Sequence, residues 1–81
     1  MKFDILLFAA ARDMAGQSLW SLELPEEATV ADLKSQLLQD CPNLNSMANI
    51  LLVAVNNHYA GESHVLTASD TIACFPPVSG G

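Results

Sequence analysis

Along KFDILLF the apolar residues fall on both sides of an extended chain. Phe3, Ile5 and Leu7 share one side, Leu6 and Phe8 the other, and Asp4 faces out. Residues 3–8 therefore read as a strand with two partly apolar faces. ARDMAGQ has the small and polar residues of a short helical turn closed by Gly16. In LWSLELP, Trp20, Leu22 and Leu24 point one way and Ser21 and Glu23 the other, until Pro25 ends the strand. These two strands are predicted to pair antiparallel across a wide connection rather than a tight hairpin.

The clearest helix lies in TVADLKSQLLQDCP. Thr29 is placed as N-cap and Asp32 as the acid of a capping box, near the positive end of the helix dipole. Val30, Leu33, Leu37, Leu38 and Cys41 form one amphipathic stripe, and Pro42 stops the helix. NLNSMAN reads as a polar connector, and ILLVAV (50–55) as a strand covered on at least one face. Asn56-Asn57 suits a tight turn with positive backbone angles, which returns residues 58–60 as a short edge strand. GESHVLTASD reads as a loop and residues 71–75 as the last strand, ended by Pro76-Pro77. The order is ββαββ with a strand just before the C-terminal segment. One helix covers only one face of such a sheet, so the other stays open. Phe8 and Phe75 are expected on that open face, as a docking patch.

Composition narrows the partners. The chain has 81 residues, 51% hydrophobic and only 15% charged, with more apolar surface than a domain this small ordinarily hides. Its net charge is −6, and Lys2, Arg12 and Lys34 are the basic residues. That balance disfavours nucleic acid or an anionic membrane and suits a basic protein surface. Asp4 and a short apolar core argue against a secretory leader at the N-terminus. The two cysteines, Cys41 and Cys74, lack metal-site spacing and fit a reducing cytoplasm.

Conventional catalytic groups are not assembled by the sequence. His58 and His64 have no cysteine or carboxylate at ligand spacing and read as solvated loop residues. Both cysteines fall on inward positions, as small hydrophobes. Glu26-Glu27 reads as a solvated acidic turn, and Gly16 and Gly61 stand alone, so no glycine loop cradles a phosphate. The C-terminal FPPVSGG is different. A proline pair favours an extended path, and six residues after Phe75 reach roughly 20 Å. Gly80 and Gly81 have no side chains and fit a narrow passage. What such a tail carries is an α-carboxylate, inert until it is activated by adenylation and then open to attack by sulfur or an amine.

LLFAAARDMAG near the start, LLVAVNN in the centre and L-T-x-x-D-x-I-x-x-FPPVSGG from Leu66 onward carry a family resemblance. Together they resemble the small, sulfur-carrying subunits of molybdopterin synthases, one branch of the ubiquitin-like β-grasp proteins. The resemblance implies an α+β β-grasp domain over residues 1–75, with one main helix on a mixed sheet, and an extended Gly-Gly tail over residues 76–81. It further implies that an E1-like enzyme uses Mg-ATP to adenylate Gly81 and that a sulfur donor turns the adenylate into a thiocarboxylate. The tail, with Val78, Ser79 and Gly80 leading to Gly81, would enter a pocket of the large catalytic subunit. There it would donate sulfur to cyclic pyranopterin monophosphate, building the dithiolene that later holds molybdenum. Phe8, Arg12, Tyr59 and Phe75 match the family's docking side. No metal or cofactor is expected on this chain itself, nor any stand-alone active site. The implied assembly is a cytoplasmic heterotetramer of two small and two large subunits. Two alternatives share the Gly-Gly ending: a sulfur carrier for thiamine or tRNA thiolation, and a ubiquitin-like modifier joined to lysines.

Overall fold

The computed structural model describes residues 1–77. The element order is β1 (Lys2–Leu7), α1 (Ala9–Ala15), β2 (Leu19–Glu23), α2 (Val30–Asp40), a 3-10 helix (Pro42–Met47), β3 (Leu52–Val55), β4 (His58–Tyr59) and β5 (Ile72–Phe75). The five strands form one sheet in the order β2-β1-β5-β3-β4. β1 and β5 run parallel at its centre, and every other neighbouring pair is antiparallel. This is the mixed sheet, with its main helix on one face, that the β-grasp resemblance implies.

Local chemistry fixes each junction. Thr29 caps α2 reciprocally: its hydroxyl accepts from the Asp32 N–H at 3.3 Å, and the Asp32 carboxylate accepts from the Thr29 N–H at 2.9 Å. Gly16 ends α1 in the left-handed region at φ 78°, donating to the Arg12 carbonyl at 2.9 Å. Asn56 and Asn57 take φ of 54° and 70°, so both central residues of the β3–β4 turn are positive, as a type I′ hairpin requires. Those three features follow the sequence reading.

Burial follows the period-two pattern. Phe3, Ile5 and Leu7 are buried under α2, as are Ile72 and Cys74 of β5 and Val53 and Val55 of β3. From α2, Val30, Leu33 and Leu37 meet them, with Cys41 buried at its C-cap and Leu38 only partly covered.

Two segments depart from expectation. Residues 43–49 are not a polar connector: Pro42–Met47 winds into a 3-10 helix whose Leu44 and Met47 are buried. Leu44 and Met47 lie three apart, one 3-10 turn, so a short helix puts both on one side against the core. The strand expected over 50–55 is shorter. Ile50 sits in a turn and is exposed, Leu51 is buried outside any strand, and β3 begins at Leu52. The N–H groups of Ile50 and Leu51 bond back to the Met47 carbonyl, which holds them out of the sheet.

Candidate functional site

Alternation leaves one sheet face without a helix, and the registers divide that face into rows. One row crosses all five strands: Leu19 lies opposite Leu6, Leu6 opposite Ala73, Ala73 opposite Ala54, and Ala54 opposite Tyr59. Beside it, toward the chain's C-terminal end, Phe75 pairs with Leu52 on β3. The Phe8 N–H reaches the Cys74 carbonyl at 3.2 Å, so Phe8 continues this second row past the end of β1. On the other side of the first row the face turns polar, with Ser21, Asp4, Thr71 and Asn56. There the Ser21 hydroxyl donates to the Asp4 carboxylate at 2.6 Å, and the Thr71 N–H donates to the Asn56 side chain at 2.9 Å.

The open face is thus half apolar and half polar, and the apolar half is the one from which the C-terminal segment leaves. Leu6, Phe8, Leu19 and Tyr59 are 37%, 47%, 46% and 76% exposed, far above what a folded core allows. Contiguous apolar exposure of this kind marks an interaction surface. Phe75 is half-buried, and its ring lies 6.1 Å from that of Tyr59, tilted by 48°. Pro76 is buried and Pro77 exposed.

The structure therefore brings Phe8, Phe75 and Tyr59 together. Arg12 lies one turn beyond Phe8 on α1, where its N–H reaches the Phe8 carbonyl at 3.4 Å; its guanidinium is 3.5 Å from the Asp13 carboxylate. Val78, Ser79, Gly80 and Gly81 lie outside the described residues. Leu19, Leu52, Ala54 and Ala73 are members of the face that the sequence reading passed over. The signal for them was present, because Leu19 alternates with Trp20 and Ala73 with Ile72. Which of these residues stand side by side depends on register, and that is a long-range property.

Other candidate groups are placed away from any chemistry. Cys41 and Cys74 are buried and unpaired, and burial pushes the Cys74 thiol up to about 11. A thiol so protonated is a poor nucleophile at neutral pH. His58 and His64 are exposed, as expected, although His58 lies on β4 rather than in a loop, and no group of three or more metal-ligating side chains occurs among the described residues. Glu26 and Glu27 are exposed. No helix among the described residues is long and apolar enough to cross a membrane.

One motif of the resemblance acquires a structural role. Asp70, from the L-T-x-x-D stretch, accepts from the Thr67 N–H at 2.8 Å and from the Asn56 side chain at 2.9 Å. The Thr67 N–H bond, the largest influence, holds its carboxyl below the ordinary value of 3.8; burial opposes this, and the Asn56 side chain adds to the lowering. Asn56 in turn grips Thr71 through both main chain and side chain. This clip ties the β3–β4 turn to the start of β5, the strand that leads into the tail.

Comparison with known proteins places this architecture. A sulfur carrier subunit of molybdopterin synthase from Dictyostelium discoideum is 35% identical over 83 residues, covering 99% of this chain and 96% of that one. The crystal structure of SAMP1, a small archaeal modifier protein from Haloferax volcanii, superposes with a TM-score of 0.88 at 29% identity over all of both chains. The ubiquitin of Caldiarchaeum subterraneum shares the fold, with a TM-score of 0.69 at 16% identity over 100% of this chain and 98% of that one. The fold is the ubiquitin-like β-grasp, and because the ThiS family model matches residues 5–81, this chain belongs to the ThiS family.

Proposed function

We propose that the chain is a sulfur carrier of molybdenum cofactor biosynthesis, whose β-grasp domain (1–75) is a handle and whose tail (76–81) is the reagent. The observation that carries this reading is the position of the apolar half-face, which borders Phe75 and so the root of the tail. A partner docked on that half-face receives the tail as a consequence of docking. The large catalytic subunit of molybdopterin synthase is that partner, in a heterotetramer of two small and two large subunits in the cytoplasm. Relatives named as sulfur carrier subunits of that synthase support the assignment.

Chemistry then falls to Gly81. An E1-like enzyme uses Mg-ATP: the Gly81 carboxylate attacks the α-phosphate and pyrophosphate leaves. Sulfur from a donor displaces AMP, giving the thiocarboxylate. Val78, Ser79 and Gly80 carry this group into the partner's pocket, where its sulfur bonds to carbon of cyclic pyranopterin monophosphate and water then cleaves the C–S bond to Gly81, returning the free carboxylate. Phe8, Arg12, Tyr59 and Phe75 hold the two proteins in register. Acid–base groups and the exclusion of water come from the partners. Buried Cys74 does not compete for the sulfur, since a thiol held at about 11 does not supply thiolate at neutral pH.

The similarity to SAMP1 favours a second reading, in which Gly81 forms amide bonds to lysines of other proteins. Intact mass after co-expression with the activating enzyme and a sulfur donor separates the two. Exchange of one oxygen for sulfur adds roughly 16 Da to the carrier, as expected of an activated carboxylate captured by sulfur. Covalent adducts to other proteins, without that species, would overturn the carrier assignment.

A further inference from the structure

A cavity of about 230 Å³ lies where the first half of α2 meets the β3–β4 edge of the sheet. Val30 and Lys34 line it from α2, Leu51 and Val53 from the start of β3, and Ala60 and Glu62 from the chain after β4. Val30, Leu51 and Val53 are buried, so the walls are mostly apolar. The exception is Lys34. Its side chain is only 18% exposed, and its ammonium stands 3.6 Å from the Glu62 carboxylate, beyond hydrogen-bond length. Glu62 is itself 73% exposed, and a solvated partner at that range compensates a mostly buried cation weakly. At about 230 Å³ the space falls below the roughly 300–1,000 Å³ of pockets that take drug-sized ligands. It suits a few small residues that carry a negative charge.

Such a segment begins next to it. Leu52 also lines the cavity and is the register partner of Phe75, so the tail leaves β5 one strand spacing, ~4.8 Å, from the cavity wall. The Lys34 charge is felt at Cys74, two residues before Pro76, which puts the ammonium near the same end of β5. Beyond Pro77 the four residues Val78 to Gly81 reach roughly 14 Å. Their chemistry matches the cavity in order: Val78 is apolar, Ser79 and Gly80 are small, and Gly81 carries the carboxylate. We infer that in the free carrier the tail folds back, with Val78 seated in this cavity and the Gly81 carboxylate on the Lys34 ammonium. The inference rests on the carrier reading above, which makes Gly81 the carboxyl end, and adds where the tail waits before a partner takes it. The seat then competes with every partner that needs the tail, because only the unseated fraction is open to binding.

The test is nuclear magnetic resonance on the isotope-labelled full-length chain without partners. Overhauser contacts are expected from the Val78 methyl groups to Val30, Leu51 and Ala60, with the Gly80 and Gly81 amides relaxing much as those of the strands do. Lys34→Met keeps the apolar stem and removes the charge, and it should abolish these contacts while the sheet resonances still report a folded domain. Absence of any contact from Val78 to the cavity in the wild type overturns the seat. Contacts that persist in a folded Lys34→Met overturn the pairing of Gly81 with Lys34. If Lys34→Met fails to fold, the wild-type contacts decide the matter alone. Sulfur loading, read by intact mass on the wild type, separates the two levels. Loading without tail contacts keeps the carrier assignment and removes the seat; tail contacts without loading keep the seat and remove the carrier.

Discussion

Cys74 and Asp70 give the molecule opposite responses to pH, each traceable to its surroundings. The Cys74 thiol, ordinarily at 9.0, sits at about 11 because burial disfavours the thiolate, with Lys34 only partly offsetting this. The unfolded chain therefore loses this proton first. Stability from the group is intact below pH 9 and is lost as pH rises toward 11, by an amount on the order of 2–3 kcal/mol. Cys74→Ala should start less stable but lose less on going from pH 8.5 to 11, as denaturant melts at each pH will show. Equal losses in both proteins would remove Cys74 from the account. Asp70 runs the other way. Its carboxyl is held below 3.8, so its contribution is present above that pH and disappears as pH falls beneath it. Asp70→Asn should weaken the clip to Thr67 and Asn56 at neutral pH, and flatten the decline of stability between pH 5 and 3. Thermal melts across that range check it.

At the scale of elements, the 3-10 helix is the piece whose importance exceeds its appearance. Its sequence, PNLNSM, has two apolar residues among polar ones, yet Leu44 is fully covered and Met47 nearly so. Asn43 also ties it to α1, donating to the Met14 carbonyl at 3.3 Å. Leu44→Ala should therefore cost roughly 2–5 kcal/mol, as a buried leucine does. Ser46→Ala, at an exposed position of the same turn, should stay within about 0.5 kcal/mol. Chemical denaturation of both variants decides it, and similar small losses would mean that this segment is a connector after all. The α2 cap and the Asn56-Asn57 turn were legible in sequence because each rests on residues within four positions of one another. The 3-10 helix was not, since the single i, i+3 pair Leu44 and Met47 among polar residues is too short to establish a period.

For the whole molecule, the division of labour between domain and tail makes binding and chemistry separable. Phe8 is half exposed, so charge there should cost little in folding. Phe8→Asp should weaken binding to the large subunit by thirtyfold or more, corresponding to ~2 kcal/mol for a lost aromatic anchor. Its Gly81 carboxylate should still be adenylated when the activating enzyme is supplied in excess. Removal of Gly81 should do the converse, keeping affinity within a few-fold while abolishing sulfur loading. Titration calorimetry and intact mass, run on both variants, check the pair. Loss of loading and of binding together in each would show that the domain and the tail do not act separately.

The sequence by itself determined which way the residues of β1, β2 and β5 point, where α2 begins and that Cys41 and Cys74 are inward, because period and capping are local properties. It also carried the family, through FPPVSGG and the motifs before it. Only the tertiary structure decided that β1 and β5 lie side by side, which sets Leu6 against Ala73 and draws Leu19, Ala54 and Tyr59 into the same row. A parallel pair between the first and last strands joins residues nearly seventy positions apart, about as far as this chain allows. No local pattern encodes such a contact. It forms as α2 covers one face of the whole sheet, whose order β2-β1-β5-β3-β4 sets the first and last strands side by side at its centre.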